Sequence, residues 1–242
     1  MTVKEFLDYL SQELNRSPRT VISYAEDLYA FEAYFLDKDE GLTWETIDTD
    51  IIRDWMESMV DKGNSPSSVA RRLSAVKGFF KFALAREFIS SDPAHAIRSP
   101  KRSRPLPQFL KENEINDLLD KQSWGDDFKG LRDRLIIMML YETGVRLAEL
   151  VGVDDEAVNL TGQFIKVTGK GDKQRVIPFG NELKSMIENY VEERNRTVSR
   201  KTAALLVSET GLRIKPDLVQ RIVKGNLARF CSLKKKSPHV LR

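Results

Sequence analysis

Along the first hundred residues, apolar positions recur with a spacing close to 3.6, the mark of amphipathic helices packed on one another. "TVKE" at Thr2–Glu5 has the Thr-x-x-Glu spacing of a capping box, and Phe6, Leu7, Leu10 and Leu14 follow at helical intervals. Ser17-Pro18 suits an N-cap followed by the first helical position, and Val21, Tyr24, Leu28, Phe31 and Phe35 continue on one stripe. "TDIIRDWMESMVDKG" predicts a third helix stopped at Gly63. Ser65-Pro66 opens a fourth, with Val69, Leu73, Val76, Phe80, Ala83 and Leu84 directed to a core, and a short fifth helix is expected after Pro93. Residues 1–97 therefore read as a bundle of four or five helices.

The pattern changes at "RSPKRSRPLPQFL", Arg98–Leu110, where three prolines stand among basic residues. Such a segment is stiff and extended, and 98–108 reads as a linker. From 109 to 242 the pattern is mixed. "KENEINDLLDKQ" and the strongly apolar "FKGLRDRLIIMMLYETG" predict helices, and "RLAELVGV" a short third one. "QFIKVTGKGDKQRVIPFG" predicts a β-hairpin with arms Phe164–Val167 and Arg175–Ile177 around a Gly-rich turn. "ELKSMIENYVEERN" and "DLVQRIVKGNLARFCSLK" predict further helices, and "ALLVS" (Ala204–Ser208) a short strand. The final "SPHVLR" has the Ser-Pro start of another helix. The fold class expected is mainly α: a helical bundle followed by a mixed α/β domain with a small hairpin or sheet.

Composition narrows the function classes. Of 242 residues, 41% are hydrophobic and 31% charged, which suits a globular chain, and no apolar run reaches the length of a membrane span. The single Cys231 rules out an internal disulfide framework and suits a reducing compartment, so a cytoplasmic location is expected. A net charge of +3 says little by itself, but the cations cluster at Arg71 and Arg72, at Lys101, Arg102 and Arg104, and at Lys234–Lys236. Each cluster taken alone suits a solvated face. Together, with one in the linker, they favour a polyanionic partner.

Several chemistries lack their motifs. No phosphate-binding Gly-rich loop or dinucleotide turn is present, so no nucleotide cofactor is expected. Two histidines and one cysteine far apart argue against a zinc site, and Asp154, Asp155 and Glu156 read as a surface turn, so no metal is expected either. What remains is a set of cations in distinctive settings. Arg146 directly follows the most apolar helix, and Glu149, three residues on, shares its face and can orient it; a purely structural ion pair would look the same. Lys170 sits at the hairpin tip between Gly169 and Gly171, where backbone can approach a ligand, though a tip lysine can equally be solvated. His239 and Arg242 lie three apart on an opening helical turn, an anion-favouring position. Two arginines, a lysine and a histidine brought to one point suit a phosphodiester: guanidinium forks for the non-bridging oxygens, a lysine to protonate a leaving oxygen, a histidine to exchange the nucleophile's proton.

In order, "TGVRLAEL", "GKGDKQRVIPFG" and "SPHVLR" resemble the successive boxes of the tyrosine recombinases, and of their Xer group in particular. The first half, "SPRTVISYAEDLYAFEAYF" and "SPSSVARRLSAVKGFFKFALAREFISSDPAHAIRSPKRSRPLPQFL", resembles that group's SAM-like core-binding domain and proline-bearing linker. The resemblance implies catalytic roles for Arg146, Lys170, His239 and Arg242, with Glu149 supporting, and duplex DNA as partner. Arg71, Arg72, Lys77, Lys101, Arg102, Arg104 and Lys173 become candidate DNA contacts. It also implies a tetramer of protomers, identical or paired with a second recombinase, on two DNA sites, and strand exchange through a 3′-phosphotyrosyl link with no cofactor. In the family the nucleophilic tyrosine follows the His-x-x-Arg box. All six tyrosines here precede His239, so the catalytic domain is expected to be incomplete at its C-terminal end, and the chain alone to bind DNA without cleaving it. Multimer resolution, mobile-element integration, promoter inversion and a non-catalytic DNA-binding role all remain compatible with these residues.

Overall fold

The computed structural model describes residues 1–101, 110, 112–120, 124–169, 171–230 and 236–241. The chain divides into two compact units, Met1–Pro105 and Leu106–Arg242.

The first unit is built from α1 (Val3–Asp8), α2 (Pro18–Lys38), α3 (Thr49–Asp61) and α4 (Pro66–Ala85). Its helix starts are the ones the residue types dictate. Thr2 and Glu5 exchange the reciprocal hydrogen bonds of a capping box, and Ser17 and Ser65 cap α2 and α4 with proline next in the chain. Asp48 caps α3 by accepting from the amides of Asp50 and Ile51. The core is largely aromatic: Phe6, Phe31, Phe35, Trp44, Trp55, Phe79 and Phe80 are all buried, many of them in edge-to-face or tilted ring pairs.

Three local expectations fail here. A π-helical turn, Tyr9–Glu13, continues α1 and widens the spiral, and Leu14, expected on the buried stripe, is 41% exposed. Leu84, at the end of α4, is likewise exposed. After Pro93 the chain makes only a turn: the Asp92 carboxylate accepts from the Ala94 amide, and residues 93–101 form no helix.

The second unit carries α5 (Glu112–Asp120), α6 (Phe128–Thr143), α7 (Leu147–Gly152), α8 (Asn181–Thr197) and α9 (Pro216–Phe230). Three antiparallel strands, β1 (Val158–Asn159), β2 (Phe164–Thr168) and β3 (Gln174–Pro178), pair in the order β1-β2-β3. Helix α6 is central, with Leu135–Leu140 buried in succession and α8 and α9 packed against it. This explains why its sequence shows an apolar run and no clean stripe. The predicted hairpin is present in the register Val167↔Arg175 and Ile165↔Ile177.

Ala204–Ser208 is no strand. It is fully buried at Ala204–Val207, but it makes only isolated bridges, Asp154↔Ala204 and Val207↔Arg213. The carbonyls of Ala204 and Leu205 accept from the buried Arg194, whose Nη1 reaches Leu205 O at 2.8 Å, while Leu206 O accepts from the Ile214 amide at 3.0 Å. Asp154, Asp155 and Glu156 are also more than a surface turn: Asp155 accepts a fork from Arg194 at 2.8 and 2.9 Å and a further bond from Arg200, while Asp154 takes Arg213. The closing segment is a 3-10 turn over Pro238–Leu241 where an α-helical turn was expected; Pro238 is buried, and Val240 and Leu241 join the second unit's core.

Candidate active site

The site begins where α6 stops. Gly144 adopts φ 59°, the left-handed conformation that closes a helix, and two residues later Arg146 takes extended φ/ψ as the N-cap of α7. Glu149 is the third residue of α7, and its Oε2 reaches back to the Arg146 amide at 2.7 Å. Sequence spacing alone thus places an acid beneath an arginine.

That carboxylate is the hub. Its side chain is 3% exposed, against 57% for Arg146 and 39% for Arg175. Oε1 accepts from Arg146 Nη1 at 2.9 Å and from Arg175 Nη1 at 2.7 Å; Oε2 accepts from Arg175 Nη2 at 2.8 Å. Burial alone would raise its pKa. The hydrogen bonds from Arg175 and from the Arg146 backbone and side chain more than reverse this, and hold the group down to about 2. Glu149 is therefore an anion at any physiological pH.

The hairpin closes against the same carboxylate. A Cβ added to Gly169 would lie 3.2 Å from Glu149 Oε1, a tight approach that glycine avoids. The Gly169 amide donates to Lys173 O at 2.8 Å, and the turn runs through Gly171 at φ 73° and Asp172 at φ 58°. Lys170 itself lies outside the described residues, as does Arg242. His239 is described: it is exposed on the 3-10 turn that packs against α6 and α9. Arg146, Glu149 and Arg175 are thus joined by hydrogen bonds, with Gly169 beside the acid, while His239 stands on a separate element, the 3-10 turn. Arg146 is held by a buried partner while its own side chain stands 57% exposed.

Arg175 is the residue that sequence reasoning missed. A signal was available: it pairs with the buried Val167 across the hairpin, so it occupies an inward-facing register position where an arginine needs an acid.

The candidate DNA contacts of the first unit divide. Arg71 donates from both Nη atoms to the buried Asp27, Nη2 at 2.9 Å, and also to Ser23 at 2.9 Å, so much of its donor capacity is spent joining α4 to α2. Arg72 lies 3.8 Å from the same acid. Lys77 donates to the Ile97 carbonyl. Lys101 and Lys173 are exposed, and Arg102 and Arg104 lie outside the described residues.

Among the six tyrosines, Tyr190 is fully buried; its hydroxyl accepts from the Val207 amide at 3.2 Å, and burial pushes it up to about 12. Tyr9 and Tyr24 pack around Phe6. Among the described residues no cluster of three or more His, Cys, Asp or Glu stands ready for a metal ion, and no helix is long and apolar enough to cross a membrane.

Residues 3–87 match the phage integrase N-terminal SAM-like domain, and residues 108–242 match the phage integrase family. The chain is 33% identical to tyrosine recombinase XerC of Chlorobaculum tepidum, covering 98% of this chain and 79% of that protein. It is 30% identical to tyrosine recombinase XerD of Oceanobacillus iheyensis, covering 99% and 81%. Its fold superimposes on the XerH site-specific recombinase bound to palindromic difH substrate with a TM-score of 0.76 at 20% identity, covering 99% of this chain and 71% of that one. The Tn1549 transposon integrase in complex with transposon right end DNA gives 0.77 at 17%, covering 100% and 84%. With both halves matched and relatives above 30% identity spanning nearly its whole length, this chain belongs to the tyrosine recombinase family.

Proposed function

We propose that this chain is a Xer-type site-specific recombinase that binds duplex DNA through both units and grips a phosphodiester with Arg146. The observation that carries the reading is the Arg146–Glu149–Arg175 cluster, in which a buried acid presents an exposed guanidinium beside a Gly-rich hairpin tip. Arg146 and Arg242 take the non-bridging oxygens of the scissile phosphate and stabilise the charge of the pentacoordinate transition state. A tyrosine hydroxyl attacks phosphorus, Lys170 gives its proton to the leaving 5′ oxygen, and His239 exchanges the proton of the nucleophile. The bond energy is kept in a 3′-phosphotyrosyl ester, and reversal of the same steps with a new 5′ hydroxyl rejoins the strands. No metal or nucleotide enters the scheme.

None of the six tyrosines is the nucleophile in this reading. Tyr190 is supported as structural by its burial and its bond to Val207, and Tyr9, Tyr24, Tyr29 and Tyr34 by their place in the first unit. Tyr141 belongs to α6. These 242 residues are therefore expected to bind DNA and form no covalent adduct by themselves. Working copies act as a tetramer, of one recombinase or two, on paired sites in the cytoplasm, and resolution of chromosome or plasmid dimers is the role that likeness to XerC and XerD favours.

The test is an equilibrium titration of labelled duplex DNA over a salt series, followed by denaturing electrophoresis of the mixtures. Steeply salt-dependent binding without a denaturant-resistant adduct is expected. An adduct mapping to any of the six tyrosines overturns the assignment of the nucleophile, and absence of binding at low salt overturns the function.

A further inference from the structure

The Glu149 carboxylate serves two arginines unequally. Arg175 spends both terminal nitrogens on it in a fork, at 2.7 and 2.8 Å. Arg146 spends one side-chain nitrogen, Nη1, and otherwise touches it through its backbone amide. A fork is the strongest arrangement a guanidinium can make with a carboxylate, and only one partner can hold it across both oxygens. Because Arg175 occupies it, Arg146 is restricted to one edge of the acid and remains 57% exposed. Gly169 occupies a third side, 3.2 Å from Oε1 to its projected Cβ, and β3 carries Arg175 next to the same hairpin turn.

We propose that Arg175 is a positioning residue: by forking Glu149 it keeps the Arg146 guanidinium outward, available to a phosphate, and pins the β2–β3 hairpin to the same acid. Without Arg175, a buried carboxylate with one remaining cationic partner draws Arg146 into the vacated fork. The charge stays on the protein, but it no longer reaches the DNA. This rests on the phosphate-gripping role proposed for Arg146.

A double-mutant cycle on the 242-residue chain tests it, using a fluorescent duplex of about 30 base pairs as probe and reading affinity by anisotropy at several salt concentrations. If Arg146 meets one phosphate, Arg146→Ala weakens binding about fivefold and lowers the steepness of the log–log salt plot by about 0.9. Arg175→Ala is expected to do the same, and the double variant to be no worse than either single one. Losses that multiply in the double variant would make Arg175 an independent phosphate contact and overturn the proposal. Parental affinity and slope in folded Arg175→Ala would reduce it to a structural ion pair and overturn it as well. Parental behaviour of Arg146→Ala is a different failure: it removes the phosphate grip itself and the proposed function's central residue. Circular dichroism checks folding; should Arg175→Ala not fold, Arg175→Lys replaces it in the cycle. A lysine carries the charge without the fork, so it too should bind as weakly as Arg146→Ala, and parental binding by it overturns the proposal.

Discussion

Replacing Glu149 by Gln keeps the shape of the hub and removes its charge, and the consequence can be worked from the structure. The carboxyl is held at about 2 where an unperturbed one titrates at 4.5. At about 1.4 kcal/mol per unit of pKa, that difference amounts to about 3 kcal/mol of stability. The half-exposed guanidiniums are partly screened by water, which brings the figure nearer 2 kcal/mol. Because the folded-state pKa is depressed, this stabilisation is fully present above the unfolded value of 4.5 and is lost as the pH falls from there towards 2. The amide of the variant does not titrate. The stability gap between the parent and Glu149→Gln should therefore be flat above pH 5 and shrink by about 2 kcal/mol as the pH falls towards 2, above whatever constant offset the amide introduces. Urea titrations read by peptide-resolved hydrogen exchange over α6 isolate the second unit from the first. A gap that stays constant down to pH 3 would refute the claim that the carboxylate's charge, as opposed to its packing, organises the site.

Other positions offer sharper structural tests. Gly130→Ala would place a Cβ 1.8 Å from Trp124 O, so the start of α6 must shift; a loss of about 3 kcal/mol is expected in urea denaturation. Asp27→Ala removes the acid that joins Arg71 on α4 to α2, and should lower the first unit's stability by about 2 kcal/mol while leaving exchange in α6 unchanged. Tyr190, pushed up to about 12 by burial, should ionise near that pH in an ultraviolet titration, and Tyr190→Phe should abolish that step at a cost of about 1 kcal/mol for the unpaired Val207 amide.

Where local chemistry decides structure, the chain is readable from its residues. Ser17-Pro18 and Ser65-Pro66 start helices because a hydroxyl and a fixed φ suit an N-cap and N1 whatever surrounds them. The hairpin follows from alternation around Gly169 and Gly171, and the Arg146–Glu149 pair from a three-residue helical spacing. Tertiary partners decide the rest. Ala204–Val207 has the composition of a strand, but its groups go to scattered partners, Arg194, the Val153 carbonyl, the Ile214 amide and the Tyr190 hydroxyl, so only isolated bridges form. Arg71 looks like a free cation until Asp27, 44 residues earlier, is folded against it. Arg175 is separated from Glu149 by 26 residues, and only the sheet register brings the two together. Asp154 and Asp155 look like a solvated turn because their arginine partners, Arg194, Arg200 and Arg213, come from distant segments.

The proposed function sets Arg146 against the phosphate backbone of duplex DNA. The measurement that bears on it most directly is the salt dependence of duplex binding by the 242-residue chain and by Arg146→Ala. Log affinity is expected to fall linearly with log salt, at a slope of about 0.9 for each of several phosphate contacts, with one contact fewer in the variant. Binding that is absent at about 50 mM salt, or indifferent to salt, or identical in slope and affinity without Arg146, would contradict it.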